Sequence, residues 1–314
     1  MVKTIVGLMG TSVASGSTKM STSAHLMAIL NLLKSYKIHE LDTARVYAAG
    51  KSEALLGECA PLAHSFAIST KAPGFSPGSL AADKIESNCN ASLAALKLQK
   101  MDIFYFHGPD RQTPLEEQCR AADKLYREGK FKRFGVCNLR ADEVEKIHQI
   151  CSDKGYVLPS VYQGGFNPLQ RRAEFELLPL LRKLEMSYYA FSPLGGGYFS
   201  KPVEELRDPP KGTRMDEMTV FKNIYVNETS LELLGKLTKV CERHGMKVKE
   251  ATLRWYMHHG PLGDEDGVIL GASNVEQMEE NLNACENGPL PEEVVESFED
   301  MWKGYKEKAG PYCV

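Results

Sequence analysis

The sequence predicts a protein of the α/β class folded as a (β/α)8 TIM barrel, and three observations carry that expectation. Short β-branched or aromatic runs alternate with longer segments of helical period. Eight such runs occur in one chain of 314 residues. The βα unit returns about every 30 residues, as a closed parallel barrel requires. A single barrel domain over residues 1–314 is therefore expected, with an excursion from its rim at about 198–228 and C-terminal helices at about 275–305.

Taken in order, the strands are expected at Thr4–Leu8, Ile38–Leu41, Phe66–Thr70, Asp102–Phe106, Arg133–Val136, Val161–Gln163, Ser187–Ser192 and Gly267–Leu270. The amphipathic segments are Thr22–Tyr36, Leu80–Leu98, Leu115–Glu128, Ala141–Lys154, Glu174–Leu184, Leu231–His244, Lys249–His259, Val275–Ala284 and Pro291–Tyr305. Ser79 ahead of Leu80 has the chemistry of a helix start, and Gly129, Gly155 and Gly245 that of helix stops. The stretch Lys201–Asn227 holds three of the sixteen prolines and no clean period, which marks a long loop from the rim.

The rival architecture is a doubly wound open sheet. It would need G-x-G-x-x-G after the first strand, and Gly7-Leu8-Met9-Gly10-Thr11-Ser12 does not supply one. The run from Gly10 to Lys19 likewise misses the spacing of a phosphate loop. Composition narrows the function further. With 38 basic against 41 acidic residues the net charge is −3, which excludes a polybasic nucleic-acid surface. Neither a transmembrane run nor a secretory leader is read, so a cytoplasmic protein free of membrane and nucleic-acid partners is expected. Eight scattered cysteines contain no C-x-x-C pair, so neither a disulfide framework nor a metal site is expected.

In a βα barrel, reactive groups belong where strands end. After the second strand comes Asp42-Thr43-Ala44-Arg45-Val46-Tyr47, after the third Lys71, and after the fourth His107. Such a set can protonate a carbonyl oxygen, because a phenol becomes an acid when a nearby cation stabilises its phenolate. Lys71 would be that cation, Asp42 would keep it charged, and His107 would position the carbonyl or share in the proton transfer. Each residue has a plainer reading: His107 as a structural histidine, Asp42 with Thr43 as a helix cap, Lys71 snorkelling to solvent. Their joint placement at three successive strand ends favours chemistry.

The string Leu41-Asp42-Thr43-Ala44-x-x-Tyr47, followed by Gly50-x-Ser52-Glu53-x-x-Leu56-Gly57, resembles the aldo-keto reductases. The likeness continues through Gly135-Val136-Cys137-Asn138, Val161-Tyr162-Gln163-Gly164, Phe191-Ser192-Pro193-Leu194-Gly195-Gly196-Gly197 and Ile269-Leu270-Gly271-Ala272-Ser273-Asn274. It is similar in particular to the aflatoxin-aldehyde and succinic-semialdehyde reductase branch. The resemblance implies NADPH as cofactor and Tyr47, Asp42, Lys71 and His107 as the catalytic tetrad.

It further implies that Cys137, Asn138 and Gln163 contact the cofactor, the two amides holding the nicotinamide carboxamide, with Phe191 stacked on the ring. Ser192, Pro193, Leu194, Gly195 and Gly197 would take the pyrophosphate on backbone N–H groups, and Gly271, Ser273, Gln277, Glu280 and Asn281 the adenosine 2′-phosphate end. Better-known branches carry Lys and Arg where this chain has Gly271 and Gln277. Arg214 in the excursion would supply the missing charge, or else is a solvated surface residue.

Branch members that reduce carboxylate-bearing aldehydes end in an Arg, whereas this chain ends Gly310-Pro311-Tyr312-Cys313-Val314. A neutral, aromatic or dicarbonyl substrate framed by Met9, Tyr47, His107, Tyr225 and Tyr312 is expected instead. Two other functions remain open at this point: a cofactor-binding regulatory subunit resembling potassium-channel β-subunits, and an NAD-linked alcohol or sugar dehydrogenase. A homodimer is also compatible.

Overall fold

The structure, a computed structural model, describes residues 2–9 and 22–313. The run from Gly10 to Lys19 lies outside the described residues. Eight parallel strands among the described residues close into a barrel in sequence order, β8 returning to pair with β1 from Lys3↔Gly267 to Val6↔Leu270. The first half of the chain runs β1 (Lys3–Gly7), α1 (Ser23–Ser35), β2 (Glu40–Asp42), α2 (Lys51–Glu58), β3 (Ala67–Ala72), α3 (Ala82–Leu96), β4 (Met101–Phe106) and α4 (Leu115–Arg127). It continues with β5 (Phe131–Cys137), α5 (Ala141–Lys154), β6 (Pro159–Gly165), α6 (Arg172–Glu176), α7 (Leu178–Lys183) and β7 (Ser187–Phe191). After the excursion helices α8 (Val203–Arg207), α9 (Arg214–Glu217) and α10 (Thr219–Tyr225) come α11 (Glu228–Arg243), α12 (Val248–His258), β8 (Gly267–Leu270), α13 (Val275–Glu286) and α14 (Glu292–Tyr305).

Strand alternation divides the apolar residues into two cores. Ile5, Ile103, Tyr105, Cys137, Val161, Tyr189 and Ile269 fill the barrel, while Phe104, Phe106, Phe134, Val136, Tyr188 and Ala190 point outward under the helices. The interior is tight enough to need glycine. A Cβ at Gly135 would lie 2.2 Å from the Tyr105 ring, so the bulk of Tyr105 on β4 is matched by its absence on β5.

The amino end of the barrel is closed by charge. Arg133 donates to Asp102 Oδ2 at 2.5 Å, to Glu40 Oε2 at 3.3 Å and to the Tyr189 hydroxyl at 3.2 Å, and Tyr189 in turn donates to Glu40 at 3.0 Å. Four strands are thereby joined on one guanidinium, whose planar fork suits several acceptors at once.

All eight expected strands are present, with ends shifted by a residue or two. Gly129, Gly155 and Gly245 follow their helices with φ of 76°, 65° and 66°, the left-handed backbone that ends a helix. Three expectations need correction. α2 has no counterpart among the expected helices, because its eight residues are too short and too polar for a helical period to stand out. The segment expected as one helix at Glu174–Leu184 breaks at Leu177 (φ −126°) into α6 and α7, where Pro179 opens the second piece. Ser79 does not cap α3: its hydroxyl donates to the Ser76 carbonyl at 2.6 Å, and the Ala82 amide is taken by Glu117 Oε1 on α4 at 3.0 Å. The rim excursion expected at about 198–228 carries α8, α9 and α10. No helix among the described residues is long and apolar enough to cross a membrane.

The Arg133 cluster should matter to stability and not to chemistry. Arg133→Met leaves Glu40 without its cation and Asp102 with only the more distant Lys132 at 3.6 Å, and should lower the unfolding free energy by about 3 kcal/mol. Urea denaturation followed by circular dichroism measures this, and an unchanged midpoint would contradict it.

Candidate active site

Three strand ends and one loop deliver the expected groups to the carboxyl end of the barrel. Asp42 ends β2, Lys71 is the penultimate residue of β3, His107 follows β4, and Tyr47 lies between β2 and α2. The Lys71 side chain has no solvent exposure. Its Nζ donates to Asp42 Oδ1 at 2.5 Å and to the Thr43 carbonyl at 2.8 Å. The same nitrogen stands 5.1 Å from the centre of the Tyr47 ring and 5.7 Å from that of Tyr105. Tyr47 meets His107 edge to face at 5.8 Å and 75°.

The electrostatics follow from burial and from one cation. Burial pushes the Tyr47 phenol up, and although Lys71 pulls it down the balance stays high, at about 12. Burial alone would push Lys71 down, but the Asp42 carboxylate reverses this and holds it charged. His107 falls to about 3, from burial first and Lys71 second. Between those limits Tyr47 and the His107 ring are both neutral hydrogen-bond donors beside a fixed positive charge. Lys71 acts on the phenol in the direction expected from the sequence, but offsets only part of the effect of burial.

Residues that the sequence reading left without a role hold this arrangement. Ala48 and Ala49 take left-handed φ of 50° and 53°, followed by Gly50 at 88°, so the chain turns sharply after Tyr47. Glu53, buried in the first turn of α2, accepts from Arg45 at 2.5 Å and from Thr70 at 2.7 Å, joining the Tyr47 loop to the residue before Lys71. The Thr43 and Ser52 hydroxyls bond at 2.8 Å. Asp42 and Thr43 therefore do not cap a helix; the cap position of α2 is Gly50. The signal was the Ser-Glu pair after Gly50, legible only once α2 is known.

A nicotinamide cofactor is tested by the donors present. Gln163 Nε2 donates to Asp42 Oδ2 at 2.9 Å and Asn138 Nδ2 to the His107 carbonyl at 2.9 Å, which leaves both amide oxygens for a carboxamide NH2. Cys137 is fully buried beneath them, and burial pushes its thiol far up, so it serves as packing. Phe191 packs against the barrel core beside Gly165. The loop after Ser192 departs from expectation: the N–H groups of Gly195 and Gly197 bond back to the Ser192 and Leu194 carbonyls at 2.9 and 3.0 Å. Consecutive left-handed residues fold this loop onto itself, so these two amides are not free for phosphate.

At the far end, Asn274 caps α13 through the Gln277 amide, and Gln277 Oε1 accepts from Ser273 N at 3.0 Å. Buried Asn281 donates to the Gly271 carbonyl at 3.3 Å, while its Oδ1 has no partner among the described residues. An orphaned acceptor on α13 and the N-terminus of the same helix together fit a ligand that brings both an amine and an anion, as an adenine nucleotide does. Arg214 keeps solvent access on α9 and lies within electrostatic reach of Tyr47.

Three residues expected as contacts have partners within the protein. Glu280 turns to an ion pair with Lys249 on α12. Tyr225 is buried under the glycine loop, its hydroxyl accepting from Asn167 Nδ2 at 2.9 Å. The Tyr312 hydroxyl accepts from Ala141 N at 2.7 Å and ties the C-terminal segment to α5. Met9, by contrast, remains open to solvent just after β1.

The sequence model of the aldo/keto reductase family matches residues 5–303. An aldo-keto reductase of Pseudocercospora fijiensis is 36% identical over 90% of this chain and 99% of its own length. Oxidoreductase sirO of Leptosphaeria maculans is 38% identical over 91% and 88%. Aflatoxin B1 aldehyde reductase member 2 of Mus musculus is 38% identical over 84% and 76%. With the barrel and matches along nearly its whole length in agreement, the chain belongs to the aldo/keto reductase family and is an oxidoreductase acting on carbonyl compounds.

Proposed function

We propose that the protein reduces a neutral aldehyde or ketone to the alcohol with NADPH, Tyr47 giving the proton. The observation that carries this reading is Lys71, buried and charged, placed against the Tyr47 ring with neutral His107 on the other side. The cofactor, when bound, supplies the hydride that reaches the carbonyl carbon. Tyr47 and His107 donate hydrogen bonds to the carbonyl oxygen, and Tyr47 transfers its proton there as negative charge develops. Lys71 stabilises the phenolate left behind, and Asp42 keeps Lys71 charged. Gln163 and Asn138 would hold the carboxamide, Phe191 would cover the ring, and Ser273, Gln277 and Asn281 would receive the adenosine end.

Three measurements test this. Purified protein should oxidise NADPH with an aromatic aldehyde. Tyr47→Phe should lower that rate by roughly 10²-fold or more while NADPH binding, read by fluorescence, persists. Tight NADPH binding with no turnover of any carbonyl would instead favour the regulatory-subunit reading.

The pH profile follows from the two extremes. With Tyr47 near 12 and His107 near 3, neither group changes charge between them. The kcat/KM for reduction should then be level from about pH 5 to 9. A limb near pH 6.5 that disappears in His107→Gln would mean that the imidazole titrates during the reaction.

Cofactor choice rests on neutral groups at Gly271 and Gln277. A Cβ at Gly271 would meet nothing within 4 Å, so a longer side chain fits there. Gly271→Lys should tighten NADPH by roughly tenfold, through a charge-assisted bond to the 2′-phosphate, and leave NADH unchanged. Equal shifts in the two dissociation constants would place the 2′-phosphate elsewhere.

A further inference from the structure

Besides Asp42, Thr43 and Tyr47, the Lys71 ammonium has a neighbour that the proposed reaction leaves without a role. Its Nζ lies over the ring of Tyr105 on β4, 5.7 Å from the centre. We propose that Tyr105 is a positioning residue, whose ring supports Lys71 from within the barrel and holds the cation against Tyr47. The inference rests on the reductase reading above and adds a residue to the machinery of that same site.

Register brings the two side chains together. Lys71 and Tyr105 are partners across β3 and β4, and Tyr105 and Gly135 are partners across β4 and β5. Partners on adjacent strands present their side chains on the same face of a sheet, and Tyr105 belongs to the cluster that fills the barrel. The oxygens that hold Lys71, those of Asp42 and of the Thr43 carbonyl, come from β2 and the residue after it. A cation on β3 is therefore held by acceptors from one neighbouring strand and by a ring from the other.

The ring is also confined. Tyr105 has no solvent exposure. A Cβ at Gly135 would lie 2.2 Å from its Cδ1, 2.3 Å from its Cε1 and 3.0 Å from Ile103 Cγ2. The ring thus occupies the space that a side chain on β5 would need, and β5 blocks any retreat on that side.

The hydroxyl does not account for a tyrosine here. It has no hydrogen-bond partner among the described residues, and a buried polar atom without one weakens the fold. Burial first, and then the Asp42 carboxylate, push the phenol well above its ordinary value, so it stays neutral and gives up no proton. What remains is the ring, whose electron-rich face attracts a cation most strongly where water is excluded. Ile103 and Val161 show that aliphatic side chains fill the same interior. An aliphatic residue at 105 would pack there without that attraction.

The test sets Tyr105→Leu and Tyr105→Met, which remove the ring, beside Tyr105→Phe, which returns it without the hydroxyl. Circular dichroism checks that each folds, and the two ring-less variants stand in for each other. With an aromatic aldehyde, loss of the ring should lower kcat by roughly tenfold or more, while KM and the NADPH dissociation constant stay within about twofold. Tyr105→Phe should recover most of that loss. Equal losses in all three variants would assign the effect to the hydroxyl and overturn the proposal, as would a full kcat without the ring. A second readout needs no turnover. In protein carrying 13C-labelled lysine, the Lys71 Cε methylene, identified by its disappearance in Lys71→Met, should resonate upfield of the other lysines because of the rings beside it. It should move back toward them in the ring-less variants and stay in Tyr105→Phe. If no carbonyl is reduced at all, this signal decides. A shift lost only without the ring keeps Tyr105 as the support of Lys71 while the reductase reading fails, and a shift unchanged without the ring removes it.

Discussion

A lysine without solvent exposure constrains the upper half of this barrel. An ammonium removed from water costs several kcal/mol unless a counter-charge and well-placed acceptors replace its hydration. Lys71 has Asp42 at 2.5 Å and the Thr43 carbonyl at 2.8 Å, and the second oxygen of Asp42 is held by Gln163 from the opposite side of the barrel. The carboxylate is thereby fixed between β3 and β6. Glu53 extends the same restraint outward, since its two oxygens join Arg45 in the Tyr47 loop to Thr70 beside Lys71. The strained turn after Tyr47 is tolerable because both of its sides are pinned in this way.

One cation also sets two neighbours at once. Lys71 draws the Tyr47 phenol down against burial and adds to the burial that pushes His107 down. The first brings the neutral phenol closer to the phenolate, and the second keeps the imidazole from holding a second proton. The two side chains are consequently not independent, and a change at Lys71 or Asp42 would move both. Here the energetics of folding and the chemistry use the same contact.

The sequence disclosed the barrel, and the gathering of Asp42, Tyr47, Lys71 and His107 at one end of it, because both rest on strong local patterns. Strands rich in Phe, Tyr, Val and Ile stand out against amphipathic helices, and a residue that ends a strand is placed by the strand itself. The failures share another cause. α2 is too short and polar to show a period, and with it the role of Glu53 was hidden. Ser79 had the right chemistry for a cap, yet the Ala82 amide is satisfied by Glu117 from the next helix, a contact with no local signature. Tyr225 and Tyr312 were expected at the mouth, and nothing in the sequence signalled that their hydroxyls engage Asn167 and the Ala141 amide. Where a hydroxyl finds its partner depends on packing between distant segments, which spacing does not encode.

The distribution of charge along the barrel axis separates what folds the protein from what it does. At the amino end, Arg133, Glu40, Asp102 and Tyr189 satisfy one another, leaving little potential to act on a ligand. Between the ends lies an apolar filling of Ile5, Ile103, Val161 and Ile269. At the carboxyl end the charges are equally paired, but two donors beside them, the Tyr47 hydroxyl and the His107 ring, face the mouth. Near the rim, the aromatic rings of Phe221 and Tyr225 press on Gly196 and Gly195 and shape the loop after β7 without adding charge. Under the proposed function, a mouth of neutral donors with one exposed Arg214 would bind by fit and hydrogen bonding more than by net attraction. The overall charge of −3 gives no long-range pull on a dinucleotide phosphate, so under the proposed function selectivity for it would depend on the few groups around Gly271 and Gln277.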